Sequence, residues 1–339
     1  MKKYFGIILV FLLSFFIQVS AAEIEVQPAI TSRCNEQNRV WVGTFQIVWN
    51  EFIDKFVHQP VRFREGTPAS VNELNKRNFS ASNISDNCYY KFSGKVTKST
   101  KSHIENSLKR KFHETSDILS TLNLTPSPNN FLIYAMLKKD FEFLREFEKL
   151  GISPFGENMT AEYFGIGKNT SKNTKDAVTV LYYNNPRDFA IMLATKGQDE
   201  LYLYKNAANK DFRTLYKDMN IKKSKYEGAT VLGDEDELKV PNIKFDVTAN
   251  FSELEGKRIM GTNLHIDQAL ETIKFNMDNK GVQLKSEAAI LTESIAMPLE
   301  NAPEPRYFFF DNTFVIFLKE KDSKVPYFAL RVDDISLFQ

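Results

Sequence analysis

Two stretches, Lys239 to Phe251 and Leu270 to Met277, alternate apolar and polar residues position by position, the period of a half-buried strand. In the second, Ile273, Phe275 and Met277 carry the apolar face. The alternation resumes from Asn279 to Pro298, where Val282, Leu284, Ser286, Ala288, Ile290 and Thr292 make an apolar or small face and Gln283, Lys285 and Glu287 begin a polar one. This segment lies between two strand-like neighbours and lacks the turn chemistry that pairs it with either. It reads as an ordinary half-buried strand or as a segment able to become one.

Earlier in the chain the spacing is helical. Val40, Thr44 to Val48, Phe52 and Phe56 predict a largely buried helix over 40–56, and Ser102 to Leu122 predicts another. A turn at Gly66-Thr67-Pro68 precedes a further helix start in Arg62 to Asn75. The dense run Asn130 to Leu137 suits a buried strand or helix start. Ala177 to Tyr183 and Phe189 to Leu193 form a hairpin about Asn184-Asn185-Pro186. Tyr307 to Leu318 and Val325 to Val332 are strands around a polar turn. Helices concentrated in the N-terminal half and strands after them predict an α+β fold with large, mainly antiparallel sheets.

Composition adds an address. Lys2 and Lys3, the apolar run Phe5 to Ile17 and the small residues up to Ala22 have the order of a secretory signal, so residues 1–22 are expected to be removed and 23–339 exported as one domain, secreted, or periplasmic in a bacterium. No later apolar stretch approaches the roughly 18 residues of a membrane span. The net charge of +1 gives no general attraction to nucleic acid. The two cysteines, Cys34 and Cys88, are candidates for a disulfide worth about 4 kcal/mol; spacing alone leaves open whether they meet. Lys95, Lys98, Lys101, Lys109, Arg110 and Lys111 form the one local basic bias, read as a solvated face or a polyanion site.

Catalytic patterns are missing. The four histidines stand singly, and there is neither a Gly-x-Ser-x-Gly elbow nor a His-Glu-x-x-His pair. Gly165-Ile166-Gly167-Lys168 lacks the upstream Gly and following Ser or Thr of a phosphate loop and reads as a turn. The acidic run Asp234 to Glu237 lacks the spaced ligands of a calcium loop. No enzyme, metal or cofactor is expected.

The C-terminal third resembles the serpin family. The resemblance lies in Phe314-Val315-Ile316-Phe317-Leu318, a polar turn and Tyr327 to Val332, preceded by Glu271 to Gly281 in the position of the strand and hinge that lead into the serpin reactive loop. It extends more weakly through Val178 to Leu193, Phe131 to Phe147 and Leu238 to Leu254. The resemblance implies a serpin-like fold with an exposed reactive-centre loop before the two C-terminal strands. It also implies inhibition of a serine protease as a suicide substrate: the cleaved loop enters a sheet as an extra strand and drags the acylated protease with it.

The family's interval from Gly281 puts the scissile bond at Ile295-Ala296, with Ser294 and Met297 as neighbouring alternatives, and Pro298 falls where many members carry proline. Ile295 implies a modest apolar pocket in the target, elastase-like or subtilisin-like. Gly281, Val282, Leu284, Ser286 and Ala288 become the hinge. Tyr134 and Glu271 occupy the positions of the family's sheet-opening Asn–His pair, which implies a Tyr134-to-Glu271 hydrogen bond. The bulky Leu284 and charged Lys285 and Glu287 depart from the small hinge residues of inhibitors. They favour the alternative, a non-inhibitory serpin-fold binding protein whose loop is cleaved or fixed without trapping a protease; under either reading a monomer is expected.

Overall fold

A computed structural model describes residues 23–33, 38–127, 130–168, 170–283 and 304–339. The chain opens with β1 (Glu25–Val26) and β2 (Arg39–Val42), then α1 (Gly43–Phe52), which a π-helical turn over Ile53–Val57 prolongs. There follow α2 (Ala69–Leu74), β3 (Tyr89–Lys95), α3 (Thr100–Phe112), β4 (Phe131–Leu137) and β5 (Asp140–Glu142). The middle holds β6 (Glu148–Phe155), β7 (Met159–Ile166), the short α4 (Lys172–Lys175), β8 (Val178–Asn185), β9 (Asp188–Ala194), β10 (Asp199–Lys205) and α5 (Phe212–Ser224). The last strands are β11 (Glu237–Pro241), β12 (Ile243–Asn250), β13 (Leu270–Met277), β14 (Gly281–Gln283), β15 (Tyr307–Phe309), β16 (Phe314–Glu320) and β17 (Phe328–Val332).

These strands make a seven-stranded sheet, β1-β2-β17-β16-β10-β9-β8, two four-stranded sheets, β15-β11-β7-β6 and β12-β13-β14-β5, and the pair β3-β4. All but β1–β2 and β11–β15 pair antiparallel. β17 is buried along its whole length, and β16 at every position but its last. Their unbroken apolar runs are those of strands covered on both faces rather than one. The β12–β13 face packs on the seven-stranded sheet through Phe275, stacked on Phe328 at 4.7 Å, and Phe245, stacked on Phe275 at 5.7 Å. Each such ring stabilises the fold by about 2–3 kcal/mol on burial.

The predicted α+β class holds, with helices sparser than the spacing suggests. Val40 lies in β2, and the helix starts only at Gly43. α3 ends where His113 takes the left-handed conformation (φ 57°) and its N–H closes on Lys109 O. The run from 239 to 251 divides at Pro241-Asn242 into strands of two different sheets, and 307–318 divides likewise into β15 and β16. The hairpin about Asn184-Asn185-Pro186 is present as β8–β9. Gly165 ends a strand rather than building a phosphate loop: a Cβ there would lie 1.9 Å from Leu238 O, so only glycine lets β7 meet β11. No helix among the described residues is long and apolar enough to cross a membrane.

Candidate functional site: an open lane between β4 and β13

The segment from Asn279 has the turn its sequence seemed to lack. Asp278 Oδ1 accepts from Lys280 N at 2.8 Å, Asp278 N donates to Gly281 O at 3.1 Å, and the chain reverses into β14. The buried Asn279 side chain fixes the turn by donating to Glu146 Oε1 (2.8 Å) and Phe147 O (3.2 Å). β14 then lies between two partners and antiparallel to both: Val282 stands opposite Met277 of β13 and Phe141 of β5. Val282 is 1% exposed, so its side chain is already on the core face.

Gly281 is needed for this seat. A Cβ there would come within 2.3 Å of Phe141 O and 2.8 Å of Glu142 Cα, both backbone. Gly281→Val is therefore expected to lift β14 out of the sheet at a cost of about 2 kcal/mol, read as a lower urea midpoint with an unchanged slope.

Below Gln283 the sheet parts. β4 pairs with β3 and β13 with β12, and among the described residues neither has a strand on its other edge from Phe131 to Leu137 or from Leu270 to Phe275. The lane between them opens into a cleft of about 2180 Å³. Its floor is a stripe on α1 and its extension, Thr44, Val48, Phe52 and Phe56, at the i, i+4 spacing of one helical face. This is the same spacing that marked 40–56 in the sequence. All four are only partly buried, unlike Phe45 and Trp49 beside them.

Lys139 holds the head of the lane to the sheet behind it. Its ammonium reaches Asp199 Oδ1 (2.8 Å) and Glu320 Oε1 (2.5 Å) and lies over the Tyr327 ring. Burial works against this charge, but Asp199 and Glu320 outweigh it and hold the lysine above its usual range.

Tyr134 and Glu271 do not pair. Tyr134 belongs to the cluster under α3 and meets Ser116 Oγ at 3.2 Å, whereas Glu271 points the other way, toward α1. The parity of the strands decides this. Lys274, three residues from Glu271 and so on the opposite face, reaches Asp117 at 3.0 Å, beside Ser116. Burial pushes the Tyr134 hydroxyl up to about 12, with Ser116 pulling it back. Tyr134→Phe is expected to cost about 1 kcal/mol, the value of one hydroxyl bond, and to leave the titration of Glu271 unmoved by NMR.

Glu271 is 4% exposed, and among the described residues neither carboxylate oxygen has a hydrogen-bond partner. Burial drives its carboxyl up to about 8; the Phe45 backbone amide pulls the other way without completing a bond. The resemblance pointed to this position as half of a pair. Its burial was legible in the parity, since Glu271 is in phase with Ile273, Phe275 and Met277 on the apolar face of β13; the sequence does not show which residue that face meets.

Of the remaining predicted residues, Gly281 and Val282 lie in β14, while Leu284, Ser286, Ala288, Ile295, Ala296 and Cys34 lie outside the described residues. The half-buried Cys88 thiol, pushed up by burial, donates to Asn87 Oδ1. Lys95, Lys98, Lys101, Lys109, Arg110 and Lys111 are all exposed. They do not share one face: consecutive residues 109–111 fan around the last turn of α3, where positive charge suits the helix dipole. Lys111 turns back to donate to Asp86 O and Tyr89 O. On the far side of residues 284–303, Arg306 is pinned by Asp236 (2.7 Å) and by the carbonyls of Ala229 and Val231.

An α+β fold of this topology, with a split sheet whose open lane begins at the short strand β14, is serpin-like. Among solved structures the chain is similar to Serpin48, described as a highly specific serpin in the insect Tenebrio molitor, with a TM-score of 0.50 and 12% identity over 88% of this chain and 92% of that one. It is also similar to thyroxine-binding globulin in complex with thyroxine, with a TM-score of 0.42 and 11% identity over 69% of this chain and 64% of that one. No family model and no curated protein matches the sequence.

Proposed function

We propose that this chain is an exported, single-domain inhibitor of serine proteases that works by inserting its own loop after cleavage. The observation that carries this reading is the seat of β14. An inserted strand that kept these two registers would set Leu284, Ser286 and Ala288 opposite Phe275, Ile273 and Glu271 of β13. On the other side Ser286 and Ala288 would face Leu137 and Ala135 of β4. Both registers agree in parity, so the apolar or small positions of the loop meet the core and the polar ones face α3. A strand entering here would hydrogen-bond to two open edges at once, a gain that cleavage at Ile295-Ala296 releases.

The non-inhibitory reading rests on the same register. It sets Lys285 between Lys274 and Lys138, a like-charge crowding. It also leaves Glu271 opposite Ala288, which offers no donor. Both slow insertion, and a protease that finishes hydrolysis first escapes.

Incubation of the purified protein with an elastase-like and a subtilisin-like protease decides between the two. The inhibitor reading expects an equimolar complex stable in SDS. Complete cleavage near Ile295 with no such complex supports the binding-protein reading instead.

A further inference from the structure

The cleft has a chemical bias that strand insertion does not use. Seven carboxyl-bearing residues line it against three lysines. Two of those lysines are already engaged, Lys138 with Glu114 and Asp140, and Lys274 with Asp117 and Asp246. On the core side, among the described residues, the ionisable group without a hydrogen-bond partner is Glu271, which lines the same cleft as Phe52 and Phe56 and points toward the α1 backbone at Phe45. A buried carboxyl with neither oxygen bonded is costly, and the cost is removed by a donor that brings a positive charge. The surrounding rings favour a ligand with an apolar body and add attraction for a cation over their faces.

We propose that the core side of this cleft is a binding site for a small aryl-alkyl amine, its ammonium paired with Glu271 and its ring packed against Phe52 and Phe56. The site is formed in the uncleaved protein and stands independently of whether the loop traps a protease. The acidic lining of the cleft, seven carboxyl-bearing residues against three lysines, disfavours anions of the same shape. The ring cluster gives an aromatic amine the advantage over ammonium or a polar diamine, which would forfeit the apolar contact. Because Glu271 holds its proton near neutral pH, pairing with an ammonium expels that proton, so binding and proton release are coupled.

The test compares phenethylamine, phenethyl alcohol and hydrocinnamate on the intact protein by calorimetry in two buffers of different ionisation enthalpy. Phenethylamine is expected to bind at least about tenfold more tightly than the alcohol, with hydrocinnamate silent. At pH 7 it is expected to release about one proton per amine bound. Glu271→Gln is expected to erase the preference of amine over alcohol. Equal binding of amine and alcohol, an amine preference that survives in Glu271→Gln, or amine binding without proton release overturns the proposal. The proton count needs no variant, so it decides even if Glu271→Gln folds poorly.

Discussion

A single cut between residues 284 and 303 is expected to raise the melting temperature by about 10–15 °C if the proposed insertion occurs. Once the chain is cut, residues from Leu284 can continue β14 down the lane, and roughly seven of them gain backbone bonds to β4 on one side and β13 on the other. At about 1 kcal/mol net for a typical bond, less the entropy of ordering the segment, the gain is about 5–7 kcal/mol. For a chain of this size each kcal/mol moves the midpoint by about 2 °C. Before the cut the far end is tied by Arg306 to Asp236 and to the carbonyls of Ala229 and Val231, which resists withdrawal of the segment into the lane. Calorimetry of cut and uncut protein, with the cut site fixed by mass spectrometry, reads the difference; an unchanged midpoint means that no strand enters.

The second large effect belongs to Glu271. Its carboxyl titrates near 8 in the fold against an ordinary value of 4.5. Between those values the folded state holds a proton that the unfolded state has released, so stability falls as pH rises through that window. Below it both states are protonated and nothing is lost. The integrated loss is about 3 kcal/mol at pH 7 and about 5 kcal/mol above pH 9. Glu271→Gln, neutral at every pH, is expected to match the parent near pH 4 and to exceed it by those amounts as pH rises. Urea denaturation from pH 4 to pH 9 checks this; parallel curves for the two proteins would show that Glu271 keeps its ordinary titration and has a partner.

The strands were legible where periodicity is strong and local. β13 follows from Ile273, Phe275 and Met277, and the β8–β9 hairpin from Asn184-Asn185-Pro186. The α1 stripe that floors the cleft was visible as Thr44, Val48, Phe52 and Phe56, though not what it would face. Boundaries failed where a strand changes sheet. Pro241-Asn242 divides one alternating run between two layers, and alternation continues across such a break because both halves still bury one face. The β13–β14 turn escaped notice because Asp278-Asn279-Lys280-Gly281 belonged to two segments read separately. The Tyr134–Glu271 pair failed for a different reason. Likeness of position gave the two residues one role, but Tyr134 faces α3 and Glu271 faces α1, and a side chain cannot reach through a sheet.

Insertion requires a lane that takes a strand, and amide hydrogen exchange over 131–137 and 270–276 before and after cleavage measures this. In the uncut protein the amides of these segments that point into the lane should exchange quickly, while those bonded to β3 and β12 stay protected. After cleavage both sets should be protected together. Exchange on both edges unchanged by a complete cut would rule out insertion.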